Sequence, residues 1–273
     1  MSGIQKVIKY SALAFAVSLI VMIISAILFG INSAYNVFIS TDNNESNNKD
    51  IVDLNVPIKD IFNLEIDLDV TNLTIKEGES LKVETNNKYI KTNQNGNILT
   101  IKEKDKNLFA SDNGGDLIIH VPKDYIFNKV EIDMGAGKLN IHDLTSRELE
   151  LDLGAGKSII NNLDVLNSAT LDGGVGSIDI IGGVINNMKL EVGVGNINLD
   201  SIIPGSSYIN AGVGKLYLNI LDSFDNYRVS INKGLGSAEL NGSKMEDNVV
   251  YGTGYNIINI DGGIGSISVK FDN

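Results

Sequence analysis

The sequence predicts an all-β protein, a parallel β-solenoid (β-helix) with coils of about 20 residues, preceded by one N-terminal transmembrane helix. Three observations support this prediction. A long uncharged apolar run lies near the N-terminus, glycine is frequent (28) while proline is rare (3), and a Gly-x-Gly tripeptide recurs along the chain. This composition fits neither collagen nor a flexible Pro/Gly linker, so the positions of the glycines determine the fold.

Residues 11–31 are predicted to form a transmembrane signal-anchor helix. The run carries no charge, and about 21 residues at about 1.5 Å each span roughly 30 Å of hydrocarbon. A cleaved signal peptide is the alternative, although its apolar region usually spans only about 7–15 residues. Lys6 and Lys9 precede the run and Asp42 is the first charge after it. The positive-inside rule therefore places residues 1–10 in the cytoplasm as a short N-terminus and the C-terminal domain outside a cell membrane, a single-pass arrangement.

Three segments follow the predicted helix. Residues 32–54 include TDNNESNNKD, are too poor in apolar residues to pack, and are predicted to be a flexible polar tether. Residues 55–130 contain strand patterns such as FNLEIDLDV and DLIIHVP without the glycine tripeptide, and are predicted to be irregular capping β coils. Residues 131–273 contain the Gly-x-Gly solenoid repeats.

The tripeptide marks one structural corner in each coil. Leu149, Leu151 and Leu153 alternate on one face before it, and carrying that alternation through the glycines would put the apolar residues after it on the wrong face. Glycine permits the unusual dihedral angles and close stacking that a corner requires. The predicted corner glycines are Gly135, Gly137, Gly154, Gly156, Gly174, Gly176, Gly193, Gly195, Gly212, Gly214, Gly234, Gly236, Gly263 and Gly265, with a degenerate Gly252-Thr253-Gly254 as well.

Coils of this size stack at about 4.8 Å, so seven or eight of them predict a rod of roughly 35 Å. The last coil in the chain ends at ISVKFDN with nothing predicted to cover it. An open strand edge is a template for association. We therefore expect either end-to-end homo-oligomers or an end protected by Lys270 and Asp272.

An acidic column is predicted two residues before each corner. Its members are Asp133, Asp152, Asp172, Glu191, Asn210, Asn232 and Asp261. Stacked carboxylates repel one another unless they are solvated or neutralised. Solvation with relief at the Asn positions is one interpretation, pairing with Lys138, Lys157 and Lys215 is a second, and weak Ca²⁺ binding by the five acids is a third.

The strand-Val-Pro element DLIIHVP (residues 116–122), followed by serial strand, Gly-x-Gly, strand units, resembles the bacterial putative-adhesin family of Gly-rich β-strand repeat domains of unknown function. The resemblance covers residues 56–269. It implies an envelope-exposed solenoid, membrane-anchored in some members, and it implies no catalytic residues.

The residues themselves argue against an enzyme or a cofactor site. GAGK at Gly135–Lys138 and Gly154–Lys157 lacks the spacing and the following helix of a phosphate-binding loop. GGVGSIDII, beginning at Gly173, misses the calcium-binding nonapeptide because its Asp comes one residue late.

The inventory of catalytic residue types is equally sparse. Cys is absent, the two histidines are His120 and His142, and the arginines are Arg147 and Arg228. A net charge of -12 argues against nucleic acid as a partner. We therefore predict no catalytic residue, no cofactor and no nucleic-acid partner.

The predicted function is adhesion or protein interaction at the cell envelope, with a protein or an envelope component as partner. An envelope-stress or sensory regulatory module is the alternative. It would need a membrane partner, because about nine cytoplasmic residues are too few to signal alone. A polysaccharide-acting β-helix enzyme is a third interpretation, weakened by the absence of Trp.

Overall fold

The computed structural model describes residues 52–53, 60–104 and 114–272. Within these ranges the strands join one hydrogen-bonded sheet, and no helix is long and apolar enough to cross a membrane. The predicted anchor, residues 11–31, lies outside the described residues. The N-terminal strands are β1 (Val52–Asp53), β2 (Asn63–Leu68), β3 (Asn72–Gly78), β4 (Lys82–Thr85), β5 (Ile90–Asn95), β6 (Ile98–Glu103) and β7 (Asp116–Pro122).

The remaining strands include six long ones. They are β8 (Ile126–Ile141), β9 (Leu144–Asn161), β10 (Leu163–Val184), β11 (Met188–Ile202), β12 (Ser206–Ile220) and β17 (Asn256–Phe271). Shorter elements lie between the last two: a 3-10 turn at Phe224–Asn226, then β13 (Tyr227–Asn232), β14 (Leu235–Leu240), β15 (Ser243–Lys244) and β16 (Val250–Tyr251). The prediction of an all-β fold is confirmed.

The long strands form a parallel stack. From β8 to β12 each pairs with the next in the chain, and Asp152 lies beside Asp133 on one side and beside Asp172 on the other. Each long strand passes through one Gly-x-Gly tripeptide, so one strand supplies both arms of a coil. The result is a solenoid-like stack of parallel coils.

The core is a set of apolar ladders that run through the stack. In β9, Leu149, Leu151 and Leu153 are buried before the glycines, whereas Ser158 and Ile160 are buried after them. The phase of burial therefore reverses at the tripeptide. One ladder consists of the buried side chains Ile66, Ile132, Leu151, Leu171, Leu190, Ile209, Ile260 and Ile231 in spatial order.

At the N-terminal end of the stack, β2 and β3 pair with the two arms of β8. Their other edges pair with the later strands β6 and β7. Strands β5 and β4 then add to β6 and β7 in the antiparallel sense. The parallel stack therefore changes to antiparallel pairing at this end.

The C-terminal end departs from chain order. Strand β17 pairs with β12 along one edge and with β13 and β14 along the other. The coil made by β13 and β14 is thus outermost, and the antiparallel strands β16 and β15 pair with it. The last coil in the sequence lies inside the stack because its uninterrupted strand matches the full length of β12.

The expectation that Lys270 and Asp272 protect an open end is therefore wrong. Lys270 lies beside Asn219 of β12, and its Nζ is 5.5 Å from the centre of the Tyr217 ring. The backbone N–H of Asp272 donates to the carbonyl of Ile220 at 3.0 Å. Both residues contact β12 rather than an exposed strand edge. End-to-end association stays a prediction.

Candidate interaction surface

The predicted corner glycines of neighbouring coils lie in register. The second glycines form the series Gly137, Gly156, Gly176, Gly195, Gly214, Gly265 and Gly236 in spatial order. A Cβ on Gly176 would overlap the carbonyl oxygen of Gly156, and one on Gly195 would overlap that of Gly176. Gly214 adds a φ of 148°, which side-chain-bearing residues rarely adopt. Sterics and dihedral angle therefore both demand glycine here.

The degenerate tripeptide Gly252-Thr253-Gly254 does not join this series. It lies between the short strand β16 and β17, where the Gly254 N–H donates to the Tyr227 carbonyl at 3.0 Å. A Cβ on Gly254 would overlap the backbone of Asn226 and Tyr227. These glycines permit a close loop contact instead of a corner.

The middle residue of each tripeptide points outward and forms what we call the corner ridge. Side-chain size increases toward the C-terminal end, where Leu235 is 73% exposed, Ile264 55% and Val213 46%. Val175, in the middle of the stack, is 39% exposed. In spatial order the corner ridge is Ala136, Ala155, Val175, Val194, Val213, Ile264 and Leu235. Ala136, Ala155 and Val194 are half-buried, so the ridge is an apolar strip whose exposure is greatest toward its C-terminal end, and exposed apolar surface is typical of interaction sites.

The acidic column lies directly before the ridge, and the strand register brings all seven predicted members together. Their spatial order is Asp133, Asp152, Asp172, Glu191, Asn210, Asp261 and Asn232, so Asp261 separates the two asparagines. Asp67 of β2 extends the column beyond Asp133, and Lys102 of β6 follows it. The sequence pattern missed these two because no glycine tripeptide follows β2 or β6. The alternation of polar and apolar residues in NLEIDL was the signal available for Asp67.

A polar column lies directly after the ridge. Its members in spatial order are Lys138, Lys157, Ser177, Asn196, Lys215, Ser266 and Ser237. The corner ridge thus has carboxylates and amides along one side and ammonium, hydroxyl and amide groups along the other.

Three carboxylates of the acidic column and its extension have partners other than the lysines expected. The Lys189 ammonium lies 2.9 Å from the Glu191 carboxylate, and that of Lys102 lies 3.2 Å from Asp67. The Tyr208 hydroxyl donates to Asp261 Oδ2 at 2.7 Å, and this bond raises the pKa of the Tyr208 phenol. Within the described part of the chain no ion pair joins Lys138, Lys157 or Lys215 to the acidic column, since the corner ridge lies between them.

Asp133 is the member whose ionisation is disfavoured. Desolvation raises the pKa of its carboxyl, and the negative charges of Asp152, Asp67, Glu131 and Asp69 raise it further. Neighbouring carboxylates therefore add to desolvation in disfavouring the charged form of Asp133.

The middle of the acidic column lines a shallow groove. Asp152, Asp172, Glu191 and Asn210 line it together with the backbone of the corner glycines. The Oδ1 atom of Asp172 is buried and has no hydrogen-bond partner among the described residues. No group of three or more acidic or histidine side chains in the described ranges has the geometry to hold a metal ion. Weak Ca²⁺ binding therefore stays an untested prediction.

The histidines and arginines lie on separate strands. His120 of β7 has its Nε2 2.9 Å from Glu84 Oε2, and the same carboxylate binds the Lys82 ammonium. Those two hydrogen bonds, first the one from Lys82, lower the pKa of Glu84. His142 is exposed after β8, and Arg147 and Arg228 are exposed on β9 and β13. The register keeps these four at different levels of the stack, so they form no common site.

Comparison with known proteins places this architecture in a family. A family model, Toastrack DUF4097, matches residues 61–248. The chain belongs to the Toastrack DUF4097 family. No curated protein matches the chain.

Solved structures of bacterial proteins are also similar to this chain. One, described as a "putative adhesin" from Bacteroides fragilis, is 16% identical, has a TM-score of 0.53, and aligns over 82% of this chain and 98% of its own. Another, described as a "putative cell adhesion protein" from Clostridium sporogenes, is 16% identical over the same shares with a TM-score of 0.35. At such identities the first similarity establishes the fold alone.

Proposed function

We propose that this Toastrack protein is a non-enzymatic, single-pass membrane protein. It is anchored through residues 11–31 and displays its β-solenoid outside the cell membrane for adhesion or protein interaction at the envelope. The observation that carries the proposal is the regular side of the stack, where seven coils repeat the same three surface columns. Such a surface suits a binding partner better than a small substrate, which needs an enclosed pocket.

The description of the Bacteroides fragilis protein as a "putative adhesin" is consistent with this proposal. Rigidity supports it as well. The ladders of buried Leu, Ile and Val hold the coils in one register, so surface groups keep fixed spacing. A preorganised surface loses little conformational entropy on binding.

Location is testable because the native chain contains no cysteine. Thr253→Cys places a thiol on an exposed loop of the solenoid, and Gln5→Cys places one in the predicted cytoplasmic segment. On intact cells a membrane-impermeant maleimide should label Thr253→Cys alone, and lysis should expose Gln5→Cys. Labelling of both variants, or of neither, on intact cells would contradict the proposed topology.

Binding is tested by affinity capture with the full chain and with residues 49–273. The envelope component retained by the full chain should also be retained by the shorter chain, because the solenoid supplies the contacts. Loss of every partner with the N-terminal segment would instead favour the regulatory alternative, in which the helix engages a membrane protein.

A further inference from the structure

The corner ridge is exposed apolar surface whose occupant can be deduced from the charges beside it. Its largest members, Leu235 and Ile264, are more than half exposed although both lie in regular strands. Solvent contact of that extent costs free energy that burial against a second apolar surface would recover.

The two flanking columns select one partner geometry. We propose that the corner ridge binds the corner ridge of a second copy of this chain, the two stacks lying side by side and parallel. A two-fold axis along the stacking direction sets the acidic column of one copy against the polar column of the other. Every residue of the corner ridge then meets its own counterpart.

Opposite charges face each other at two levels of this arrangement, and the other levels pair a charged or polar group with a neutral polar one. Asp133 faces Lys138 of the second copy, and Asp152 faces Lys157. The carboxylates of Asp172, Glu191 and Asp261 face Ser177, Asn196 and Ser266, which donate hydrogen bonds to carboxylates. At the two asparagine levels, Lys215 faces Asn210 and Ser237 faces Asn232. No level sets like charges against each other.

The antiparallel alternative fails by the same comparison. A two-fold axis perpendicular to the stacking direction would set acidic column against acidic column. Glu191 would then face Glu191, and Asp152 would face Asp261. Like charges that close repel and disfavour the complex. Parallel pairing also puts the first coils of both copies at the same end, so two copies anchored in one membrane, as proposed above, could present paired binding surfaces, which increases avidity.

Single cysteines in the full-length chain test the pairing. Ala136→Cys and Leu235→Cys lie at opposite ends of the corner ridge, and Tyr255→Cys is a control at a residue that is 76% exposed away from it. Under mild oxidation both ridge variants should form covalent dimers well above the control. Cross-linking of neither ridge variant, or of one alone, would overturn parallel pairing, whatever the labelling experiment says about location.

Charge exchange separates this interface from nonspecific apolar contact. In the Leu235→Cys background, Asp133→Lys puts two cations at one level of each copy, and Lys138→Asp puts two anions there. Each change alone should lower the yield of covalent dimer at least twofold. Coexpression of the two chains in equal amounts should give mixed dimers well above the twofold excess over either homodimer that random mixing produces. Random mixing of the two chains would contradict the proposed columns.

Discussion

At the scale of single residues, the second glycine of each corner lies against the carbonyl oxygen of its counterpart in the adjoining coil. Gly156 shows that sterics alone suffice, because its φ lies outside the left-handed range and a Cβ there would still overlap the Gly137 oxygen. The overlapping atom belongs to the backbone of a hydrogen-bonded strand. It cannot rotate away as a side chain could.

Gly214→Ala should therefore destabilise the protein by about 2–6 kcal/mol, the sum of a strained φ and an overpacked contact. Gly96→Ala is the matched control, because Gly96 has a φ of 60° and nothing within 4 Å of its missing Cβ. The control should lose about 1–2 kcal/mol. Thermal unfolding followed by circular dichroism measures both. Equal losses of stability in the two variants would show that the neighbouring coil makes no close contact with Gly214.

The acidic column predicts a pH dependence centred on Asp133. The pKa of its carboxyl is raised in the folded state, so folded protein binds the proton more readily than unfolded protein. This residue's contribution to stability therefore increases as pH falls through that raised pKa. Above it, the ionised carboxylate opposes folding.

In the monomer at low protein concentration, where no second copy supplies Lys138, Asp133→Asn should raise the free energy of unfolding at pH 7 by about 0.2–1 kcal/mol, the range for exposed cross-strand pairs. The gain should diminish as pH falls through the raised pKa of Asp133, because the native carboxyl then becomes protonated as well. Asp143→Asn, at an exposed position outside the column, serves as the control and should have little effect. Urea unfolding at several pH values measures the difference. A loss of stability at pH 7 would mean that a cation holds Asp133.

At the scale of the strands, the sequence predicts the coils but not their order. The units at Gly234 and Gly263 match the same pattern, so either could stack next to β12. The unit that forms one unbroken strand takes this position. Strand β17 runs unbroken for 16 residues and pairs with β12 along its length, whereas the other coil is broken at Lys233 and Gly234 between β13 and β14.

The surface columns, unlike the order of the coils, could be predicted from the sequence. A constant offset from the glycines fixes which residues stack, so the seven members of the acidic column that precede a tripeptide could be named from the sequence. Asp67 and Lys102 could not, because β2 and β6 carry no tripeptide to count from. The partners of the column also depend on side-chain reach. Lys189, two residues before Glu191, reaches it along the same strand face, while Lys215 lies across the ridge.

Removal of residues 256–273 tests the inserted position of β17. The deletion takes away buried Ile258, Ile260, Ile267 and Val269, which contact coils on both sides. Amides of β13 and β14 should lose protection from hydrogen exchange, while those of β8 and β9 keep it. A chain ending at Phe271 is the control and should match the full length. Continued protection of β13 and β14 would place β17 outside them.

At the scale of the whole described domain, both ends of the stack close in the same way. Strands β4 and β5 at one end, and β15 and β16 at the other, pair antiparallel with the outermost coil. Antiparallel pairing cannot continue the parallel helical path, which blunts the edge. Association is then favoured along the side of the stack, where the corner ridge lies, rather than through its ends.

This account depends on the order β12, β17, then β13 and β14, and engineered disulfides in the cysteine-free chain measure that order directly. Ser268 lies beside Tyr217 of β12 and beside Glu239 of β14. Tyr217 and Glu239 are therefore two levels apart, roughly 9–10 Å, beyond the reach of a disulfide. The double variant Tyr217→Cys with Ser268→Cys should form an intramolecular disulfide under mild oxidation, and Tyr217→Cys with Glu239→Cys should not. The reverse outcome is a disulfide in the Tyr217→Cys, Glu239→Cys variant and none in the Tyr217→Cys, Ser268→Cys variant. It would show that the coils follow chain order and would contradict the inserted position of β17.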